Sequence, residues 1–279
     1  MFTLLKTIIV FAVAIYLLAV LALYFFQRNM MYYPPKMIDA VSAARLQNFH
    51  KQTVTTDDGV ELTGYYLPPS TPNAPVIMLF HGNASHPAWV AGKLDLLVRQ
   101  LGAGAILVEY RGYGDNAGKP TQQGLFADAR AWAGWWQKQA EATTHPIVYY
   151  GESLGSGIAV YLATIHPPDA LILETPYDSI LNVAKHHYRF VPAMDAILHD
   201  HYRSDELIGQ LEMPKLFLLA GRDKIVPPAS SVRLFDLAQE PKTRVDFPEA
   251  THIDIFNYGG DEAILEFLLH LTTGSSGHA

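Results

Sequence analysis

The sequence predicts an α/β fold with a mostly parallel central sheet, flanking helices and a small cap insertion, preceded by one N-terminal transmembrane helix. Three observations support this prediction. Continuous apolar runs, which are typical of strands buried on both faces, alternate along the chain with helical patterns. A β-rich run leads into the pentapeptide Gly151-Glu152-Ser153-Leu154-Gly155, and a helical pattern follows it. Near the N-terminus, the segment from Thr7 to Phe26 is apolar and carries no charge.

The composition limits the classes of protein that the chain can belong to. Its 279 residues are 49% hydrophobic and 17% charged, which suits one large α/β domain with a sizeable core. The formal net charge of -7 argues against nucleic acid as a partner. The chain has no cysteine, which excludes disulfides, thiolate catalysis and cysteine metal sites.

The N-terminal segment is expected to cross a membrane once. Its apolar run of about 20 residues matches the thickness of a bilayer's hydrocarbon core. The apolar run is followed by Met30-Met31-Tyr32-Tyr33, whose aromatic residues stand where membrane helices carry an aromatic belt at the membrane–water interface. The alternative is a cleaved signal peptide, but Ala19 to Ala22 offers a poor small-residue cleavage site. We therefore expect an uncleaved anchor over residues 1–28, with basic residues on both sides that leave the side of the membrane open.

The later elements follow in order along the chain. A connector over residues 29–50 contains a short helix at about 39–48, and Asp57-Asp58-Gly59 then predicts a hairpin turn between strands at 51–56 and 60–67. Further strands are predicted at 76–80, 105–108, 147–150, 170–173, 216–220 and 243–247. Helices are predicted at 89–101, 121–140, 154–165, 229–238 and 261–271. The main domain spans 51–272 with a cap at about 176–213, and the tail at 273–279 is expected to be disordered.

The pentapeptide around Ser153 has the G-x-S-x-G pattern of a sharp strand-to-helix turn. Such a turn brings the chain close to itself, so both flanking positions need glycine. It lifts Ser153 Oγ out of the sheet and points the N–H groups of the new helix at whatever the serine attacks. The context between a strand and a helix makes Ser153 a candidate nucleophile.

A serine nucleophile needs a base, and the base needs an acid that holds its tautomer. In this type of sheet the acid and then the histidine follow the serine along the chain. Asp223 and His252 each lie in the loop after a predicted strand, at the sheet edge where open α/β sheets place their sites. Glu174, which follows the strand at 170–173, is the alternative acid.

The oxyanion that forms during acyl transfer needs two N–H donors. The turn geometry makes the Leu154 N–H one candidate, and the loop His81-Gly82-Asn83-Ala84 makes the Asn83 N–H the other. His81 itself is expected to stabilise that loop.

Four histidines of the cap could suggest a metal site, but no carboxylate or cysteine completes a recognised ligand pattern. We expect neither a metal nor another cofactor; the four are His186, His187, His199 and His201.

Taken together, these segments resemble the α/β-hydrolase superfamily and, within it, the membrane-anchored Bem46-like group related to the ABHD17 and ABHD13 proteins. The resemblance implies a Ser153–Asp223–His252 catalytic triad with Asn83 and Leu154 as oxyanion donors, and an arginine that braces loops at Arg111. The chain departs from the usual pattern at two places. Asn116 stands where that loop often has serine, and the segment around His252 lacks the His-Asn-Asp run that is often seen there. The segments that carry the resemblance are the anchor with Gln27-Arg28, His81-Gly82-Asn83-Ala84, Tyr110-Arg111-Gly112-Tyr113-Gly114, the pentapeptide at Ser153, Gly221-Arg222-Asp223 and His252.

The resemblance and the motifs predict a membrane-anchored serine hydrolase that cleaves carboxylic ester or thioester bonds through an acyl-enzyme on Ser153. The anchor and the aromatic, apolar cap favour a lipid-like or acylated substrate. Two alternatives remain open. One is an aminopeptidase or amidase of the same fold, and the other is a membrane-bound binding protein without catalysis. The sequence predicts no oligomeric state.

Overall fold

The computed structural model describes residues 2–35 and 38–274. In this part of the chain, eight strands form one sheet in the order β1-β2-β4-β3-β5-β6-β7-β8. β1 and β2 form an antiparallel hairpin that joins β4 in antiparallel fashion, and the remaining neighbours are parallel. The strands are β1 His50–Thr55, β2 Glu61–Leu67, β3 Val76–Phe80, β4 Gly104–Val108, β5 Ile147–Glu152, β6 Ala170–Glu174, β7 Lys215–Ala220 and β8 Lys242–Phe247.

Helices cover both faces of the sheet, and the predicted fold class is confirmed. The α-helices are α1 Phe2–Met31, α2 Ala40–Ala44, α3 Pro87–Val90, α4 Asp95–Leu101, α5 Gln122–Trp136, α6 Leu154–Ile165, α7 Ile180–His187, α8 Met194–Ile197, α9 Ser204–Leu207, α10 Pro228–Leu237 and α11 Gly260–Gly274. Four short 3-10 helices lie at Ala91–Leu94, Ala140–Thr143, Ile208–Gln210 and Ile255–Tyr258.

Several predicted helices differ from the observed ones in extent. The helix predicted at 89–101 is divided into α3, a 3-10 turn and α4, and the helix predicted at 121–140 ends at Trp136. The connector helix α2 begins where the Asp39 side chain accepts from the Ser42 N–H, and it is only one turn long. α11 extends to Gly274, so it includes the first two residues of the tail predicted to be disordered. Residues 275–279 of that tail lie outside the described part of the chain.

The continuous apolar runs are explained by two layers of core. Along β3, the side chains of Val76, Met78 and Phe80 pack into the layer that contains α5 and α6. Ile77 and Leu79 alternate with them and pack into the layer that contains α4 and α11. Because successive side chains of a strand point to opposite faces, a strand covered on both faces must be apolar at every position.

The segment between β6 and β7 contains α7, α8 and α9 and includes the predicted cap. Its apolar cluster of Leu181, Val191 and Met194 packs against Val20 and Leu23 of α1. Among the described residues, α1 is the helix that is long and apolar enough to cross a membrane, and none of its apolar stretch is buried within the protein. The boundaries proposed for the anchor, connector, main domain and cap stay predictions.

Candidate active site

The turn between β5 and α6 exposes Ser153 in a strained backbone conformation. Its φ of +49° is unusual for a residue with a side chain, and such strain is typical of functional sites. The Ser153 N–H donates to the carbonyl of Glu174 at 2.9 Å, which ties the turn to β6. A side-chain carbon at Gly155 would overlap the carbonyl of Phe80, and one at Gly151 would lie 2.6 Å from the Gly155 carbonyl oxygen. Both glycines are therefore sterically required.

Ser153, His252 and Asp223 form one chain of hydrogen bonds. His252 Nε2 lies 2.7 Å from Ser153 Oγ, and His252 Nδ1 lies 2.6 Å from Asp223 Oδ2. Asp223 Oδ1 accepts two further bonds at 2.8 Å, from the N–H groups of Ile225 and Val226. The carboxylate is thus fixed on both oxygens. If Nδ1 carries the proton that Asp223 accepts, Nε2 is the free base that faces the serine hydroxyl.

One predicted oxyanion donor, Leu154, belongs to the serine turn, and the other, Asn83, belongs to the loop after β3, which approaches that turn at Gly82. Leu154 begins α6, so its N–H has no partner within the helix. The side chain of Asn83 is fully bonded: Nδ2 donates to the carbonyl of Met31 at 2.5 Å, and Oδ1 accepts from the N–H of Tyr33 at 2.9 Å and the hydroxyl of Tyr113 at 2.7 Å. These bonds fix the loop after β3 and leave the backbone N–H of Asn83 for another acceptor.

The carboxylate of the alternative acid, Glu174, is hydrogen-bonded to other residues than His252. Its buried carboxylate accepts two bonds of 2.8 Å from Lys93 Nζ and one of 2.5 Å from the Tyr150 hydroxyl. Burial raises the pKa of this carboxyl, although the Lys93 charge opposes the shift. The geometry therefore favours Asp223 over Glu174 as the acid.

A partly buried cation, Lys93, lies next to the serine turn, and no sequence pattern predicted it. Lys93 Nζ also contacts Glu152 Oε1 at 3.1 Å. Burial alone would lower the pKa of Lys93, but the carboxylates of Glu152 and Glu174 outweigh burial and raise it. Burial also opposes ionisation of Glu152, and the Lys93 charge outweighs it and lowers the Glu152 pKa. Lys93 therefore stabilises the residue directly before the candidate nucleophile.

A second polar cluster supports the loop after β3. His81 Nδ1 contacts the Gly82 carbonyl at 2.8 Å, and its Nε2 contacts Glu109 Oε1 at 3.0 Å. The other carboxylate oxygen of Glu109 lies 3.2 Å from His86 Nε2, and burial lowers the pKa of His86. His81 is buried and in contact with its own loop, which agrees with the loop-stabilising role expected for it.

The loop after β4 joins the hairpin to α5. Arg111 Nε contacts Asp128 Oδ1 at 2.7 Å, and its two terminal nitrogens contact the carboxylate of Asp58 at 2.6 and 2.9 Å. Asn116 exchanges hydrogen bonds with the backbone of Thr63, accepting at 2.8 Å and donating at 3.1 Å. Both residues brace loops, so the departure at Asn116 affects the scaffold and not the serine.

The cap histidines do not converge. His187 Nε2 contacts the Ile225 carbonyl at 2.9 Å, His201 Nε2 contacts the Leu198 carbonyl at 2.8 Å, and the His199 ring packs edge-on against Tyr24. Within residues 2–35 and 38–274, no group of three or more potential ligand residues is placed to hold a metal ion.

Known proteins with similar sequences include hydrolases and membrane proteins. Residues 71–191 match the family model described as serine aminopeptidase, S33. An uncharacterised protein of Mycobacterium tuberculosis is 38% identical over 229 residues, covering 82% of this chain and 81% of that protein. The lysophosphatidylserine lipase ABHD12 of Danio rerio is 33% identical over 187 residues, covering 61% of this chain and 48% of the lipase. An uncharacterised membrane protein of Saccharomyces cerevisiae is 28% identical over 227 residues, covering 79% and 80% of the two chains.

Solved structures share the fold at low sequence identity. An α/β hydrolase from Vibrio vulnificus is 21% identical with a TM-score of 0.69, covering 87% of this chain and 92% of that one. An esterase from Pyrococcus furiosus is 16% identical with a TM-score of 0.67, covering 85% of this chain and 98% of that one.

Replacing Lys93 with methionine tests the buried charge cluster. The variant leaves Glu152 and Glu174 buried without a cation, so we expect a loss of about 3 kcal/mol in the free energy of unfolding at about pH 8. Burial then raises the pKa of both carboxyls above their unfolded value of about 4.3, so the folded variant binds protons more tightly than the unfolded chain. The deficit should shrink as the pH falls towards about 5.5.

The measurement is urea unfolding of the full-length protein in detergent, followed by circular dichroism at both pH values. Lys138→Met, at an exposed lysine, is the matched control and should change stability by less than about 0.5 kcal/mol. A Lys93→Met variant as stable as wild type, or one whose deficit is the same at both pH values, would contradict the role given to Lys93.

Proposed function

The chain belongs to the α/β-hydrolase superfamily, and on that premise we propose that it is a membrane-anchored serine hydrolase. It cleaves carboxylic ester or thioester bonds of a lipid-like or acylated substrate and passes through an acyl-enzyme on Ser153. We place it with the membrane-anchored Bem46-like group, on the motifs quoted above.

The observation that carries the proposal is the hydrogen-bond chain from Ser153 through His252 to Asp223, with distances of 2.7 and 2.6 Å. The three residues come from three different strand ends and follow the serine, acid, histidine order of this fold. The N–H groups of Leu154 and Asn83 are the proposed donors to the oxyanion, which requires two such donors.

The geometry supports a two-step mechanism. His252 Nε2 takes the hydroxyl proton as Ser153 Oγ bonds to the carbonyl carbon, and the N–H groups of Leu154 and Asn83 stabilise the oxyanion that forms. The carbon–oxygen or carbon–sulfur bond then breaks as His252 returns the proton to the leaving group. Water attacks the acyl-enzyme by the same route and releases the acid. Asp223 holds the imidazole and stabilises its charged form.

Two observations support a lipid-like or acylated substrate. α1 presents a long apolar surface next to the cap, as expected of an anchor that places the site at a bilayer. The relatives include a lysophosphatidylserine lipase, and the structural neighbours include an esterase. We therefore expect the natural substrate of this chain to be an acyl ester of a membrane lipid.

A fluorophosphonate probe tests the nucleophile, because it reacts covalently with an activated serine. Wild-type protein should be labelled, and Ser153→Ala should lose labelling and lose ester hydrolysis by at least about 1,000-fold. Ser70→Ala, at an exposed serine on a loop, is the control and should be labelled as wild type is. Undiminished labelling of Ser153→Ala would rule out Ser153 as the nucleophile.

Paired amide variants test the acid. Asp223→Asn keeps the size of the side chain but holds the wrong imidazole tautomer, so kcat should fall by about 1,000- to 10,000-fold. Glu174→Gln should keep activity within about tenfold, because Glu174 contacts Lys93 and Tyr150 and not the base. The measurement is kcat on a short acyl ester, with thermal unfolding of both variants as the control for folding. Full activity in Asp223→Asn would transfer the role to Glu174.

The family model described as serine aminopeptidase supports a second candidate, an amidase or aminopeptidase of the same fold. An aminopeptidase needs an acceptor for the free amino group of its substrate. The carboxylate next to Ser153 belongs to Glu152, which already pairs with Lys93, so the site favours esters. Hydrolysis of amino-acid anilides without hydrolysis of acyl esters would reverse this preference. The third alternative, a binding protein without catalysis, predicts no fluorophosphonate labelling.

A further inference from the structure

An apolar groove of about 170 Å³ lies between α1 and the helices α7 and α8. Leu23 and Met30 of α1 form one wall, and Ile180 and Val183 of α7 form the other. Anchors that only tether a domain have no need to pack against it. Here the anchor helix and the cap enclose a space that neither forms alone.

Polar contacts hold the C-terminal half of α1 against the cap. Arg28 forms two hydrogen bonds with Asp200, at 2.9 and 3.1 Å, and Gln27 donates to the Ile197 carbonyl at 2.8 Å. Farther towards the N-terminus, the Tyr16 hydroxyl donates to the Phe190 carbonyl at 2.9 Å. From position 16 to position 28, an α-helix rises about 18 Å. The groove lies at the C-terminal end of this contact, where Leu23 belongs to the apolar run and Gln27, Met30 and Met31 follow it.

Much of the surface of α1 over this stretch is apolar and exposed. The cap also has an exposed Phe190, whose carbonyl accepts from Tyr16 of α1. The exposed apolar residues of α1 in this stretch are Leu17, Leu18, Leu21, Phe25 and Phe26.

On one side, the groove meets the loop that carries the proposed oxyanion donor Asn83. Met31 lines the groove, and its carbonyl accepts from Asn83 Nδ2 at 2.5 Å. Tyr33, two residues farther on, donates its N–H to Asn83 Oδ1 at 2.9 Å. The end of the anchor is thus in direct contact with the loop after β3.

On the other side, the groove meets the loop of the proposed acid. His187 lines the groove and contacts the carbonyl of Ile225 at 2.9 Å, and the Ile225 N–H donates to Asp223 Oδ1 at 2.8 Å. Tyr177, just before α7, donates its hydroxyl to the Leu154 carbonyl at 3.1 Å. The groove is therefore bordered by residues that contact the loop of the proposed acid and the loop of the proposed donor Asn83.

Building on the serine hydrolase proposed above, we propose that this groove binds the acyl chain of the substrate and that α1 is one wall of the site. A membrane lipid enters from the leaflet with its acyl chain alongside α1, and its carbonyl reaches Ser153. The anchor then determines which chains are accepted as well as where the enzyme resides.

The size of the groove sets the expected chain-length preference. An apolar cavity of about 150 Å³ holds a benzene molecule, so about 170 Å³ takes roughly six to eight chain carbons. A longer chain continues along α1 into the surrounding hydrocarbon. Each methylene that an apolar site buries contributes about fourfold in binding. An acetyl group is too short to use the groove, whereas a lauroyl group fills it.

Two variants fill the groove from opposite walls, Leu23→Trp on α1 and Val183→Trp on α7. Full-length protein in detergent micelles is assayed with p-nitrophenyl acetate and p-nitrophenyl laurate. In each variant the ratio of kcat/KM for laurate to kcat/KM for acetate should fall at least about tenfold. Leu21→Trp, on the same helix but outside the groove, is the matched control and should keep the wild-type ratio.

The outcomes separate this inference from the proposed function. Wild-type protein that hydrolyses neither ester and takes no fluorophosphonate label would overturn the proposed function, and the groove inference with it. Wild-type hydrolysis of both esters with an unchanged ratio in Leu23→Trp and Val183→Trp would overturn the groove inference alone. An equal loss for both esters would also overturn it, because acetate does not reach the groove. Leu23 lies on α1 outside the sheet, so its variant leaves the central fold unaltered.

Discussion

The close approach of α6 to the end of β3 is the constraint on which the site depends. At Gly155 the helix backbone meets the carbonyl of Phe80 so closely that no side chain fits. This contact forces the turn that holds Ser153 at a φ of +49°, and it brings the start of α6 beside the loop after β3. The turn that carries the proposed nucleophile and the loop that carries the proposed donor Asn83 are therefore neighbours, and a side-chain carbon at Gly82 would lie 3.5 Å from Ser153 Cβ. Strain in the turn is offset by the two-layer core that packs around β3 and β5.

Two sets of contacts support this arrangement from opposite directions. Beneath the turn, Lys93 neutralises buried carboxylates that would otherwise repel each other next to the nucleophile. Above it, the side chain of Asn83 is held by the carbonyl of Met31 and the N–H of Tyr33, at the exit of α1. The candidate membrane helix is therefore in hydrogen-bond contact with a loop of the site.

Much of the fold and the members of the candidate site could be predicted from the sequence because they depend on local patterns. Strands buried on both faces are recognisable from continuous apolar runs. Asp223 stood out because it follows such a run, and His252 because it follows the last predicted strand, at 243–247. The Lys93 cluster and the packing of α1 on the cap were missed, since they join segments that are distant along the chain and share no periodicity. The division of the helix predicted at 89–101 was missed for a related reason: a 3-10 turn keeps the apolar spacing of a helix.

The most direct test of the account is to trap the covalent intermediate. Wild-type protein is mixed with excess p-nitrophenyl ester, quenched in acid within milliseconds to seconds, digested and measured by mass spectrometry. The account predicts a burst of p-nitrophenol close to one equivalent per enzyme when deacylation is slower than acylation, and an acyl group on the peptide that contains Ser153. An acyl group on another residue, or hydrolysis that continues in Ser153→Ala with no adduct in either protein, would contradict it.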